Sequence, residues 1–213
     1  MPDKAEDVLS ESVMTTGNMV GDLARSYFGI YDLVEFDYDK DTMPKKTKEY
    51  MEAGSENIAE AAFCIDGLYC AVDILHRDAD GYDIVEVKSS TYVSDIYVED
   101  MAFQYYVLSR CGVNVKKVFI MYLDNSYVRY GELELDKLFV LEDYTDTVLN
   151  KTYEVEENIR NIREYVNTEE EPERDIDLYC EEECAVWINL QEKCRMSFGK
   201  DFHRVWNMDG HEE

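Results

Sequence analysis

The feature that most narrows the folds open to this chain is a meander at its centre, written as three apolar runs separated by two tight-turn signals. Residues 59 to 65 lead into Asp66-Gly67, a pair suited to a two-residue hairpin, and residues 68 to 77 carry the chain back. A second turn, Asp78-Ala-Asp-Gly81, returns it into Tyr82-Asp-Ile-Val-Glu-Val-Lys88. Ile84, Val85 and Val87 are apolar on both parities, so the third strand is expected to be covered on both faces. That requirement excludes a sheet left bare on one face and calls for helices on either side.

The flanks supply them. Residues 5 to 28 repeat apolar side chains at threes and fours, with Gly17 and Gly21 one turn apart inside the pattern. Glycine inside a helix costs about 1 kcal/mol relative to Ala, so the pair needs a reason, such as close approach of another backbone or a helix beginning near 17. Pro44 is suited to opening a helix over about 44 to 57, and residues 95 to 111 form an amphipathic helix carrying Met101, Tyr105 and Leu108. Lys116 to Leu123 reads as a buried strand, followed by a small strand around Tyr127 to Tyr130. The reading is an α/β fold, with a mixed central sheet flanked by helices over residues 1–150 and an acidic, Cys-bearing, helical extension over 151–213.

Charge sets a second constraint. The 213 residues carry 21 Lys and Arg against 48 Asp and Glu, a formal net charge of −27, yet 46% are hydrophobic and 13% aromatic, enough to build a core. Residues 142 to 185 hold 16 acids and 4 bases, a net of −12. Such acidity excludes a protein that coats nucleic acid non-specifically, because that mode draws its affinity from Lys and Arg displacing counterions. It leaves open an enzyme that meets nucleic acid in one cleft, with Lys45, Lys46, Lys48, Lys116 and Lys117 as candidate substrate-facing charges or ordinary solvated lysines. Neither an amino-terminal export signal nor an apolar run near the roughly 20 residues that span a bilayer is present, so a cytoplasmic location and no membrane association are expected.

Chemistry concentrates in the meander. Alternation puts Asp73 near the end of one strand, while Glu86 and Lys88, two apart on the next, point to one side. Two carboxylates and an amine at the end of a hairpin suit Mg²⁺ or Mn²⁺, with Asp73 and Glu86 as hard oxygen ligands and the Val87 backbone carbonyl as a third. A solvent-facing Glu–Lys pair on an ordinary strand would have the same spacing, but charged residues inside a covered strand need a partner or a function.

Asp73 followed by Glu86-Val-Lys88 resembles the signature of the PD-(D/E)XK nucleases. Ile84-Val-Glu-Val-Lys-Ser-Ser-Thr91, Asp100-Met-Ala-Phe-Gln104, Gly21-Asp-Leu-Ala24, Glu60-Ala-Ala-Phe63 and Val72-Asp-Ile-Leu75 are similar to the RecB-like branch that includes CRISPR-associated exonucleases, over roughly residues 17 to 150. The resemblance implies a restriction-endonuclease-like core and a metal-dependent DNA nuclease, an exonuclease using Mg²⁺ or Mn²⁺, with weakly bound DNA, single-stranded or at ends, as the expected substrate. It implies Asp73 and Glu86 as metal ligands, Lys88 as catalytic lysine and Gln104 as a substrate-contacting residue beside the site. The chain departs from the branch in two places. Leu108 stands where a tyrosine is common, leaving Tyr106 as a neighbouring candidate, and no His occupies the first helix, so Glu60 is the candidate for a further metal carboxylate.

Cys180, Cys184 and Cys194 form a second cluster in the extension, which the resemblance associates with a [4Fe-4S] cluster and spacing alone with zinc or free thiols. A fourth ligand would come from Cys64, Cys70 or Cys111, with His203 as a further candidate for zinc. Two other functions compete with a nuclease acting on DNA: a non-catalytic module on the same fold whose acidic surface binds a basic protein partner, and a Cys-based zinc or iron-sulfur protein.

Overall fold

The two turns of the meander fold as their residues require. The computed structural model describes residues 17–167, so the amino-terminal part of the first expected helix lies outside the described residues, as does the extension from 168. Asp66 and Gly67 take φ of 51° and 79°, both in the left-handed region that a two-residue hairpin of this kind demands. They join β2 (Asn57–Ile65) to β3 (Leu68–Asp78), and Ala79 and Asp80 join β3 to β4 (Gly81–Val87). Gly81 has no room for a side chain, because a methyl there would overlap the Asn114 carbonyl.

The meander is extended on both sides into a six-stranded mixed sheet of order β1-β2-β3-β4-β5-β6. The short β1 (Asp32–Leu33) runs parallel to β2. After β4 the chain crosses through α3 (Asp95–Arg110) into β5 (Val115–Leu123), parallel to β4. The one-turn α4 (Leu135–Leu138) then leads into β6 (Phe139–Asp143), antiparallel to β5. A helix, three antiparallel strands, a crossover helix and a parallel strand make up a restriction-endonuclease-like core. The chain divides after Tyr165 into two units, and this sheet belongs to the first.

Both faces of β4 are covered, as its double-parity apolar residues require. Ile84 and Val85 are consecutive, point to opposite faces and are both fully buried. Ile84 packs with Leu75, Val118 and Ile120 beneath Met101, Ala102, Val107 and Leu108 of α3. Val85 packs with Ile74 and Met121 beneath Val20 and Ala24 of α1, a helix described over residues 17–25. Each such side chain contributes about 1.5–3 kcal/mol by leaving water. The long α5 (Thr145–Val166) buries only Val148 and Ile159, and runs through residue 150 without a break.

Three elements differ from the sequence expectation. Helix α2 (Thr42–Ala53) ends before residue 57 because Gly54 adopts φ of 84° and caps it, its N–H and that of Ser55 donating to the Met51 and Tyr50 carbonyls. Residues 127–130 form no strand, and the place beside β5 belongs to β6. Gly17 and Gly21 lie inside α1, but a methyl at either would meet nothing within 4 Å, so no neighbouring backbone demands them.

Helix α2 also closes the edge of β2 that β1 leaves open. The buried Thr47 hydroxyl accepts the Ala62 N–H at 2.9 Å and donates to the Met43 carbonyl at 3.1 Å. Thr47→Val keeps the shape and orphans the amide, so it should lower the unfolding free energy by about 1–3 kcal/mol in urea titrations. Thr47→Ser should lose less; equal losses in the two variants would show that the hydroxyl is not what matters.

Candidate active site

The ladder between β3 and β4 is regular up to the pair Ile74 and Val85 and then stops. One step further, the β3 side chain replaces the backbone partner: the Val87 N–H donates to Asp73 Oδ2 at 2.6 Å. Asp73 therefore lies within β3 rather than near its end, at the point where two strands part. Continuing the registers of β2 with β3 and of β3 with β4 sets Glu60, Asp73 and Glu86 in one row across three adjacent strands. Glu60 has φ of 57°, a left-handed conformation costing a non-glycine residue about 1 kcal/mol or more, and no ladder pair joins it to Asp73.

The buried Glu86 carboxylate is held from two sides. Lys88 Nζ donates to Oε1 at 2.7 Å, and Gln104 Nε2 of α3 donates to Oε2 at 2.7 Å. The Lys88 backbone N–H is anchored on the Met121 carbonyl of β5, which directs the side chain past the end of the sheet. Its ammonium also lies 3.6 Å from Asp100 and 4.8 Å from the centre of the Tyr97 ring. Tyr97, Asp100 and Gln104 recur at helical spacing, so one face of α3 serves the site. Asp100 and Gln104 lie one helical turn apart, with Gln104 reaching Glu86 and Asp100 reaching Lys88.

Electrostatics follow from burial. Asp73 is pushed up to about 8, first because it is buried and second because Glu86 places a like charge beside it, against the opposing pull of the Val87 N–H. For Lys88, burial pulls downward, but Glu86 by charge and hydrogen bond, with Asp100 and Asp73, outweighs it and holds the ammonium above its ordinary value. The cluster opens on a cavity of about 520 Å³ lined by Asp73, Val87, Lys88 and Ser89 of the sheet side and by Gly17, Gly21 and Arg25 of α1.

Glu60 lines the same cavity, yet its Oε1 is 2.8 Å from Arg25 Nη2, and Arg25 also pairs with Asp22 at 2.9 Å. Arg25 and Tyr97 were not evident from the sequence: the Arg25 contact spans 35 residues, and nothing in the spacing of either residue announces a function. Leu108 is fully buried in the core, and Tyr106 faces Arg110 at 6.0 Å. The five Lys named as candidate substrate charges each have an acidic partner: Lys45 with Asp41, Lys46 with Glu49, Lys48 with Glu52, Lys116 with Asp80 and Lys117 with Asp143. Cys64, Cys70 and Cys111 are free thiols, while Cys180, Cys184, Cys194 and His203 lie outside the described residues.

Among the described residues, no group of three or more His, Cys, Asp or Glu side chains is arranged to hold a metal ion. The donor set at Asp73 and Glu86 fits Mg²⁺ all the same, since that ion takes one or two carboxylates and keeps several waters. Two features suit a cation here: the like charge of Glu86, which adds to burial in lifting Asp73, and Gln104 Oε1, a buried oxygen without a hydrogen-bond partner beside Glu86.

The raised Asp73 makes stability depend on pH in a definite sense. Folded protein keeps the acid protonated up to about 8 while the unfolded chain ionises near 3.8, so the native state binds more protons in between and stability falls as pH rises through that window. In chelator, Asp73→Asn should be more stable than the parent at pH 8, and the difference should shrink towards pH 4. Urea midpoints measured across the range check this, and a pH-independent difference would contradict it.

No family model matches the chain, and no curated protein does. Among solved structures, it is similar to the alkaline exonuclease LHK-Exo of Laribacter hongkongensis, with a TM-score of 0.30 and 13% identity over 57% of this chain and 68% of that one.

Proposed function

We propose that the chain is a divalent-metal-dependent nuclease that hydrolyses phosphodiester bonds of DNA, acting as an exonuclease. The observation that carries the reading is the break in the β3–β4 ladder, where Asp73, Glu86 and Lys88 meet half-buried or buried beside an open cavity. Asp73 and Glu86 would hold Mg²⁺ or Mn²⁺, with the Val87 carbonyl as a further donor. When bound, that ion supplies Lewis-acid polarisation of the phosphoryl oxygens and a bound water of lowered pKa.

The chain's own residues do the rest. Lys88, kept cationic by Glu86 and Asp100, places positive charge where the phosphorane-like transition state gathers negative charge, and lies close enough to Glu86 to orient a water by hydrogen bond. Gln104 fixes the Glu86 rotamer through Nε2 on one carboxylate oxygen and leaves the other to Lys88. Tyr97 limits where the lysine can swing. Walls from α1 exclude bulk water from one side of the reacting centre.

Purified protein should degrade DNA in Mg²⁺ or Mn²⁺ and not in chelator. Asp73→Ala and Lys88→Ala should each lower the rate by at least about a hundredfold with the fold retained by circular dichroism. End-labelled substrates should release mononucleotides or short products first, whereas internal fragments from closed circles would assign an endonuclease. Absence of cleavage by the folded parent chain with either metal would remove the enzymatic reading.

A further inference from the structure

The cavity over Asp73 and Lys88 does not end at α1. It adjoins a second of about 420 Å³, the two sharing Arg25 and Glu60, and that one adjoins a third of about 500 Å³, sharing Leu33, Glu35, Phe36 and Met43. Together they trace a groove from the candidate active site, along β1, to the first turns of α2. Its rim includes the loop Glu35-Phe-Asp-Tyr-Asp39, whose Phe36, 74% exposed, lines the two outer cavities and whose Tyr38 is 93% exposed beside it. Their rings are 5.1 Å apart and nearly perpendicular, an edge-to-face pair left in water.

Asp37 and Asp39 brace the backbone of this loop. Asp37 Oδ1 accepts the Asp39 N–H at 2.8 Å and Asp39 Oδ1 accepts the Asp41 N–H at 3.0 Å, while Asp41 and Glu49 pair with Lys45 and Lys46. The same pairing occupies the lysines, so phosphate charge finds few free cations here. What the surface offers is aromatic faces on a braced loop, continuous with the cavity that would receive the phosphodiester.

We propose that Phe36 and Tyr38 form a stacking platform for unpaired bases, which makes the substrate a single strand, or the frayed single-stranded end of a duplex, lying along the groove. The inference rests on the nuclease reading for the identity of the occupant. Every base has a π-face, so the platform is sequence-tolerant, and stacking supplies affinity that an acidic protein does not obtain from phosphates. A basic peptide would be drawn by the acidic rim instead, but it gives no reason for the groove to run into the Asp73 and Lys88 cavity.

The test uses the full chain carrying Lys88→Ala, which keeps the probe intact, in Mg²⁺ with fluorescein-labelled single-stranded DNA of about ten nucleotides, within the length range of known stacking grooves. By fluorescence anisotropy, adding Phe36→Ala and Tyr38→Ala should weaken binding about tenfold or more. The dependence of affinity on salt should keep its slope, since no phosphate contact is removed. Tyr153→Ala, an exposed tyrosine on α5, should change nothing. Unchanged affinity in the double variant, an equal loss in Tyr153→Ala, or no binding by the Lys88→Ala protein at low salt would overturn the platform. So would a double variant that loses an Arg-rich peptide while holding DNA as before. Cleavage by the parent chain is scored separately, so a nuclease without the platform and a platform without nuclease activity give different results.

Discussion

The hydrogen bond from the Val87 amide to the Asp73 carboxylate holds the centre of this molecule together. A strand leaving a sheet must find partners for its backbone groups, and an unpaired buried amide costs about 1–3 kcal/mol. Here an acidic side chain of the neighbouring strand takes the amide, so β4 separates from β3 without an orphan. The separation opens the space that the site uses, and the same bond turns one face of the carboxyl group inward. Structural and chemical demands thus fall on a single residue, and the weakened acidity of Asp73 records the conflict between them.

Around that point, each element of the fold has a positional duty. The double coverage of β4 by α1 and α3 keeps Glu86 nearly dry and brings Gln104 against it. The parallel strand β5 offers the Met121 carbonyl that fixes where Lys88 leaves the sheet. Low local dielectric strengthens each of these polar contacts and also makes a like-charge pair costly, a combination found where charge is kept ready for chemistry.

Local signals were legible in the sequence where a residue's own conformation decides the outcome. Asp66-Gly67 specifies its turn because both positions need positive φ, and the apolar residues of both parities in β4 announce two covering layers. Gly54 carried an equally plain stop for α2, although the pattern of the following residues masks it. Tyr127 to Tyr130 has strand-forming residues and no strand, because propensity matters only if a neighbouring edge is free, and β6 occupies that edge. Two-residue β1 is too short to show alternation. The Asp73, Glu86 and Lys88 group was readable from strand parity, whereas Arg25 and Tyr97 reach it only through the docking of α1 and α3, which no local pattern encodes.

The two glycines of α1 gain a different meaning from their surroundings. Each weakens a helix by about 1 kcal/mol relative to alanine, and neither is demanded by a neighbouring atom, so the fold does not require them. Both line the cavity beside Asp73 and Lys88. Side-chain size at Gly17 and Gly21 is therefore free to set the bore of the entrance without disturbing the sheet beneath, which gives the molecule a place where access can change while the chemistry stays in position.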